Sequence, residues 1–304
     1  MRTICLPDSD TAERLGELPD GMEVLIWAGK QEPPDGIERT EFLVADYMGS
    51  PVAGRALARM PALRVIQLLS AGVEPWLPLV PNGVTLCNGR GVHGGSTAEL
   101  AVAGILSLLR RLPHFHDEQT AARWSPQQAD DLDAKRVLIL GAGDIGRRIA
   151  AAVTVFDAEC SFVARTARDG VHAIDELPKL LPEHQIVVVA LPHTAETHHL
   201  IDAPALALLP DGAMLVNIAR GAIVDTDALV GHLTAGRLSA FLDVTDPEPL
   251  PADHPLWQAP NLIITPHVGG GTMGWQRRAL RLVHEQLTRF AAGEPLVNVV
   301  GETY

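Results

Sequence analysis

The sequence predicts an α/β protein made of two doubly wound parallel-sheet domains. Three observations predict it. Short apolar runs recur along the chain, separated by segments of helical length or period. One of these runs, Val137–Leu140, passes straight into a glycine-rich turn and then a helix start. The chain has 304 residues, enough for two domains of ordinary size, each with its own core.

Val137-Leu138-Ile139-Leu140 is an unbroken apolar run, as expected of a parallel strand buried on both faces. Gly141-Ala142-Gly143-Asp144-Ile145-Gly146 follows, and Arg147 to Val153 continues as a helix. This is G-x-G-x-x-G between the strand and the helix that it needs. Gly141 makes the tight turn, Gly143 lets the backbone approach a pyrophosphate, and Gly146 lets helix and strand pack closely. The N–H groups at the helix start, around Asp144 and Ile145, together with the helix dipole, hold the phosphates. The expectation is a bound dinucleotide; the alternative is a glycine-rich turn in another kind of α/β domain.

Composition narrows the class. The hydrophobic fraction of 47% is that of a globular protein. No apolar run approaches the roughly 20 residues of a membrane span. Met1 to Pro7 reaches proline and aspartate too early for a signal peptide. Cys5, Cys87 and Cys160 are widely spaced and fit neither a disulfide framework nor a zinc knuckle. They read as small apolar core residues in a reducing cytoplasm, and no metal site is expected. A formal net charge of −13 argues against nucleic acid as a partner. An anionic substrate must then be attracted by local Arg and His.

In the first hundred residues, Ile4–Leu6, Val24–Ile26, Phe42–Val44 and Val65–Leu68 read as strands. Ser70-Ala71-Gly72-Val73-Glu74 follows the last of them directly. Ligands of open α/β sheets bind beyond strand C-termini, so free N–H groups around Gly72 could grip a carboxylate. The plainer alternative is a simple strand-to-helix turn. Asn88 to Gly95 is loop-like, and the first interdomain hinge is expected there. Ser96 and Glu99 have the spacing of a capping box. The helix beyond, to about Leu109, is apolar nearly all round, as for burial between domains or subunits.

From residue 136 the strand–helix alternation resumes at Val137–Leu140, Cys160–Val163, Ile186–Val189, Met214–Ile218, Leu238–Leu242 and Leu262–Ile264. A last helix, about Trp275 to Ala292, is expected to return to the first domain. Residues 1–94 plus 275–304 form the expected substrate domain, and 95–274 the dinucleotide-binding domain.

A fold that binds NAD usually carries Asp or Glu roughly 20 residues past the glycine motif, to hold the ribose 2′-OH. Here that place reads Phe162-Val163-Ala164-Arg165-Thr166-Ala167-Arg168, with no carboxylate before Asp169. Arg165 and Arg168 can pair with a 2′-phosphate and Thr166 can hydrogen-bond to it. NADP(H) is therefore favoured, with NAD(H) possible. The alternative is that both arginines are ordinary surface residues.

Three stretches follow later strands: Asn217-Ile218-Ala219-Arg220-Gly221, Asp243 to Pro251, and Thr265-Pro266-His267-Val268-Gly269-Gly270. Arg220 at a strand end can grip a carboxylate through two parallel hydrogen bonds. Glu248 is bracketed by prolines. His267 follows an apolar strand and precedes glycines, as a cleft residue would. Together they make a coherent hydride-transfer site. The Arg binds and polarises a 2-oxo acid, and the His protonates the carbonyl oxygen. The Glu favours the protonated imidazole and orients it. Spacing does not prove that these side chains meet.

The order and spacing of these pieces resemble the D-isomer-specific 2-hydroxyacid dehydrogenase family over nearly the whole chain. Matching positions are Ser70–Glu74; Asn88, Gly91, Ala98 and Glu99; the glycine motif; Leu191, Pro192, Thr194 and Thr197; Asn217, Arg220, Gly221, Val224 and Asp225; Glu248-Pro249; and Pro266–Gly270. The resemblance implies two Rossmann-like domains, the first a flavodoxin-like substrate domain. It implies Arg220 as substrate-binding and polarising residue, Glu248 as partner of the His, and His267 as acid/base. It implies main-chain donors at Ser70, Ala71, Gly72 and Val73 for the substrate carboxylate. Leu191, Pro192 and Thr197 would line the adenosine half, and Ile218 and Ala219 would also touch the cofactor. Asp243 and Gly269 would lie near the nicotinamide carboxamide. A homodimer built through the dinucleotide-binding domains is implied as well.

Departures from the family pattern bear on function. Thr245 stands where many members have an aromatic residue, and His93 where Asn is frequent. Glu248 argues against a formate-oxidising activity, whose carriers tend to have Gln there. The Arg165/Arg168 pair resembles the NADPH-using glyoxylate/hydroxypyruvate reductase branch. The leading expectation is NADPH-dependent reduction of a small 2-oxo acid to the D-2-hydroxy acid. The alternatives are an NAD-linked D-2-hydroxyacid dehydrogenase of the phosphoglycerate kind and a non-enzymatic dinucleotide sensor. Pocket walls are expected around Tyr47-Met48-Gly49 and near Trp275.

Overall fold

The structure is a computed structural model that describes residues 1–46 and 56–301, so Tyr47, Met48 and Gly49 lie outside the described residues. The chain divides into two compact units, Met1–His93 with Thr272–Tyr304, and Gly94–Gly271.

In the first unit β1 (Arg2–Leu6), β2 (Met22–Ile26), β3 (Thr40–Val44), β4 (Val65–Gln67) and β5 (Thr85–Cys87) form one parallel sheet. Its order, β2-β1-β3-β4-β5, is the flavodoxin-like doubly wound order. Successive residues of a strand point to opposite faces. Ile4, Leu6, Phe42 and Val44 accordingly pack on Ala279, Val283, Leu287 and Phe290 of the Trp275–Ala292 helix. Cys5, Leu43, Ile66 and Leu68 pack on the other side against Trp27, Leu57 and Trp76. That helix ends at Gly293, whose φ of 72° suits glycine and whose N–H caps the last turn. Burial pushes the Cys5 thiol up to about 12 and that of Cys87 to about 11, so both act as small apolar groups. β5 has no counterpart in the predicted strands.

In the second unit β6 (Arg136–Leu140), β7 (Glu159–Ala164), β8 (His172–Ala173), β9 (Ile186–Val189), β10 (Met214–Asn217), β11 (Ser239–Leu242) and β12 (Leu262–Ile264) form a parallel sheet. Its order is β12-β11-β10-β9-β6-β7-β8. The chain winds outward from β6 to one side, then returns to build the other, which is the Rossmann arrangement. The switch point lies between β6 and β9, the place where open α/β sheets bind ligands beyond their strand ends. Val137, Ile139, Val188 and Val216 bury one face, and Leu138, Leu140, Val187, Val189 and Leu215 the other. The two-residue β8 was also invisible to sequence patterning.

The helix before this sheet spans Gly94–Leu109, so the expected capping box at Ser96 and Glu99 is not formed. Ser96 and Thr97 are inside the helix and buried. The bare Cα of Gly94 packs on Asp144, where a Cβ would stand 2.0 Å from the carboxylate. Ala98, Ala101, Ile105 and Leu109 bury one face within the unit. Leu100, Val102, Leu106 and Leu108 are half-buried, and Glu99 and Ala103 are exposed. No helix among the described residues is long and apolar enough to cross a membrane.

One buried group makes stability depend on pH. His184 is fully buried, and its Nδ1 donates to the Leu180 carbonyl oxygen at 2.7 Å. Its Nε2 has no partner among the described residues. Burial therefore disfavours protonation and lowers the pKa. The unfolded chain takes up this proton at a higher pH than the folded one. The stability contributed is full above about pH 6.5 and is lost as pH falls below it. The urea midpoint of the native protein should drop more between about pH 7.5 and about pH 5.5 than that of His184→Gln. Equal drops would remove His184 from the account.

Candidate active site

The β6 turn shows why each motif glycine stands where it does. Gly141 has φ +117°, and a Cβ there would lie 2.4 Å from the Ala190 carbonyl oxygen. A Cβ on Gly146 would lie 2.0 Å from the Gly141 oxygen, so helix and strand touch through it. Gly143 differs, since nothing lies within 4 Å of its Cβ position. It caps the Asp144–Thr154 helix, whose first-turn N–H groups lack intrahelical acceptors. An open cradle beside unpaired donors fits a pyrophosphate. The Asp144 side chain turns away from this role: Oδ1 accepts from Arg148 Nε at 2.9 Å, and Oδ2 is shielded against Gly94.

Arg165, Thr166 and Arg168 sit in the exposed turn after β7. The backbones of Arg168 and Val171 exchange hydrogen bonds of 3.0 and 2.8 Å, and Gly170 (φ +69°) closes the turn. Beyond β9, the Thr197 hydroxyl donates to Pro192 O at 2.8 Å and accepts from Thr194 N at 2.7 Å. Thr197 is buried and shapes the loop that starts at Leu191. Glu196 lies in the same loop. The Thr194 hydroxyl, at 2.7 Å, holds its carboxyl below the usual range, helped by its own backbone and by the charge of Arg165.

At the end of β10, the buried Asn217 accepts from Ala219 N (3.1 Å) and donates to Arg220 O (2.9 Å). This clasp turns the chain through the buried Ile218 and half-buried Ala219, and Arg220 Nη1 donates to Ala219 O at 2.7 Å. A Cβ on Gly221 would lie 2.0 Å from the Thr245 carbonyl, so this turn presses directly on the loop after β11. Asp225 caps the next helix through Ala228 N at 3.0 Å.

Asp243 directly follows β11 and is buried. Its carboxylate accepts from Thr265 Oγ1 (2.5 Å), Val268 N (2.9 Å) and Gly269 N (2.9 Å). Its carbonyl accepts from His267 N at 2.8 Å. These bonds hold His267 at φ +53°, a conformation that bulky residues rarely adopt. His267 Nδ1 stands 2.6 Å from Glu248 Oε1. A carboxylate only accepts, so Nδ1 carries the hydrogen and Nε2 is the atom available for proton exchange. Both side chains are partly exposed, 46% and 41%. Thr245 donates to Pro247 O at 2.9 Å, within the loop that carries Glu248. Arg220, Glu248 and His267 thus follow three adjacent strands, β10, β11 and β12.

In the first unit the Ser70–Val73 turn follows β4. The carbonyls of Leu69, Ser70, Ala71 and Gly72 accept from His93, Gly89 N, Asn88 and Ser70 Oγ at 3.0, 2.6, 3.3 and 2.9 Å. The N–H groups of Gly72 and Val73 have no protein acceptor among the described residues. His93 is buried, and its ring packs on Trp275 with centroids 5.8 Å apart.

Comparison with known proteins gives a consistent result. The family model for the NAD binding domain of D-isomer specific 2-hydroxyacid dehydrogenases matches residues 102–269. A glyoxylate reductase of Aeropyrum pernix is 33% identical over 95% of this chain and 92% of its own length. A family member from Aeromonas salmonicida superposes with a TM-score of 0.86 at 33% identity, covering 99% of both chains. Another, from Xanthobacter autotrophicus in complex with NADPH and MES, gives 0.85 at 30% identity, over 98% of this chain and 97% of its own.

Proposed function

Because the chain belongs to the D-isomer-specific 2-hydroxyacid dehydrogenases, NAD(P)-dependent oxidoreductases, we propose that it uses NADPH to reduce a small 2-oxo acid of the glyoxylate or hydroxypyruvate kind to the D-2-hydroxy acid. The observation that carries this reading is the His267–Glu248 pair at 2.6 Å, locked onto its turn by Asp243. Arg220, on the neighbouring strand end, grips the acid and polarises its carbonyl. His267 Nε2 gives its proton to the carbonyl oxygen, while Glu248 keeps Nδ1 protonated and balances the imidazolium charge. The Ser70–Val73 turn offers main-chain donors suited to a carboxylate.

The cofactor would be held by the Gly141–Gly146 turn at its pyrophosphate and by Arg165, Thr166 and Arg168 at a 2′-phosphate. Asp243 and Gly269 would lie beside its nicotinamide end. When bound, it supplies the hydride. The absence of a carboxylate at the end of β7 and the NADPH complex of the Xanthobacter relative support the NADP(H) preference.

Oxidation of NADPH and NADH should be followed over glyoxylate, hydroxypyruvate, pyruvate, phenylpyruvate and 2-oxoisocaproate. Turnover with NADPH is expected, at a KM about tenfold or more below that for NADH. Replacing both arginines, Arg165→Gln with Arg168→Gln, should raise the NADPH KM by about 100-fold, because two charge-assisted hydrogen bonds are lost. The NADH KM should stay within about threefold. A preference for NADH would sink the cofactor assignment. Cofactor binding without turnover on any acid would transfer the case to a dinucleotide sensor.

A further inference from the structure

The Ser9–Leu15 and Trp275–Ala292 helices of the first unit border an open groove of about 560 Å³. Leu15 and Leu280 supply apolar surface, and Arg14, Arg277, Arg281 and His284 supply the polar lining. In a protein of net charge −13, this is a local reversal of sign.

The groove is held rigidly. Ala279, Val283, Leu287 and Phe290 anchor the long helix in the core, leaving Arg277, Arg281 and His284 exposed at i, i+4 and i+7. Arg14 is fixed by Asp10 at 2.9 Å and by Gln276 at 3.0 Å. Glu285, the one carboxylate in the lining, already pairs with Arg289 at 3.0 Å. The Arg277 and Arg281 side chains have no hydrogen bond or ion pair among the described residues. Like charges at i, i+4 destabilise a helix, and their Cβ atoms lie about 5–6 Å apart. A single dianion between them would neutralise both; a monocarboxylate would leave one charge uncompensated.

We propose that this groove binds a phosphate monoester, its dianion held between Arg277 and Arg281 and its carbon body laid over Leu15 and Leu280. The site is independent of the reductase reading, since it uses none of those residues. Arg14 provides a third, preset donor group, and the His284 imidazole lines the remaining edge.

Phenyl phosphate tests the proposal, with benzoate as the monoanion and inorganic phosphate as the dianion without a body. Calorimetric titration of the whole chain should show phenyl phosphate binding more tightly than either. Arg277→Gln with Arg281→Gln should weaken that binding about tenfold or more, and Arg165→Gln with Arg168→Gln should leave it within about twofold. No binding by the native protein at about 10 mM, or native affinity in the Arg277/Arg281 variant, overturns the site. So does a loss confined to the Arg165/Arg168 variant, which would place the phosphate there. If the Arg277/Arg281 variant fails to fold, hydrogen exchange of the native protein decides. Phenyl phosphate should slow exchange around residues 275–288, and unchanged exchange there counts against the groove.

Discussion

His267→Ala lowers kcat for NADPH-linked reduction of the best 2-oxo acid by about 10³-fold, while NADPH affinity stays within about threefold. The reason is the placement of a single proton. Glu248 fixes the hydrogen on Nδ1 at 2.6 Å, which leaves Nε2 to serve the substrate oxygen. Without the imidazole, hydride delivery would build an alkoxide with no donor. Glu248→Gln keeps an acceptor beside Nδ1 but removes the charge, so its loss should be smaller, about 10²-fold. Single-turnover rates measured with saturating cofactor separate this step from binding. Less than a tenfold loss in His267→Ala would remove the histidine from the proton step and leave Arg220 with the main role.

Asp243→Ala has the second large effect, and it acts on both fold and rate. The side chain is buried and receives hydrogen bonds from Thr265, Val268 and Gly269. Alanine leaves buried donors unpaired at about 1–3 kcal/mol each, so a destabilisation of about 3 kcal/mol or more is expected in urea unfolding. The same bonds hold His267 in its left-handed conformation. The kcat should therefore fall by about 10²-fold even at temperatures where the variant is fully folded. Asp243→Asn retains one acceptor oxygen and should fall between the two. A destabilised Asp243→Ala enzyme with native kcat would show that the turn holds its shape without the carboxylate.

Some of this was legible residue by residue. The β6 strand, its glycine turn and its helix are continuous in the chain, so backbone freedom and apolar pattern reveal them together. The long helix Trp275–Ala292 was legible for the same reason, having a strong period and a glycine at its end. Not every short element was: β4 and β12 were read from the sequence, β5 and β8 were not. The three residues of β5 and the two of β8 are strands only because a neighbour offers hydrogen bonds. The capping-box reading of Ser96 failed because the helix already begins at Gly94, which places Ser96 inside it.

By itself, then, the sequence determined which residue types stand at the strand ends: glycines at the first, arginines and no carboxylate at the second, and Arg, Glu and His at later ones. Local sterics and charge are properties of neighbours along the chain, so they survive without a fold. Only the tertiary structure decided which of these ends meet. Sheet order sets β10, β11 and β12 side by side. That order brings Gly221 onto Thr245, Glu248 to His267 and Asp243 under the histidine turn. Such meetings depend on long-range packing that closes loops of twenty residues or more, and a one-dimensional pattern carries no term for it.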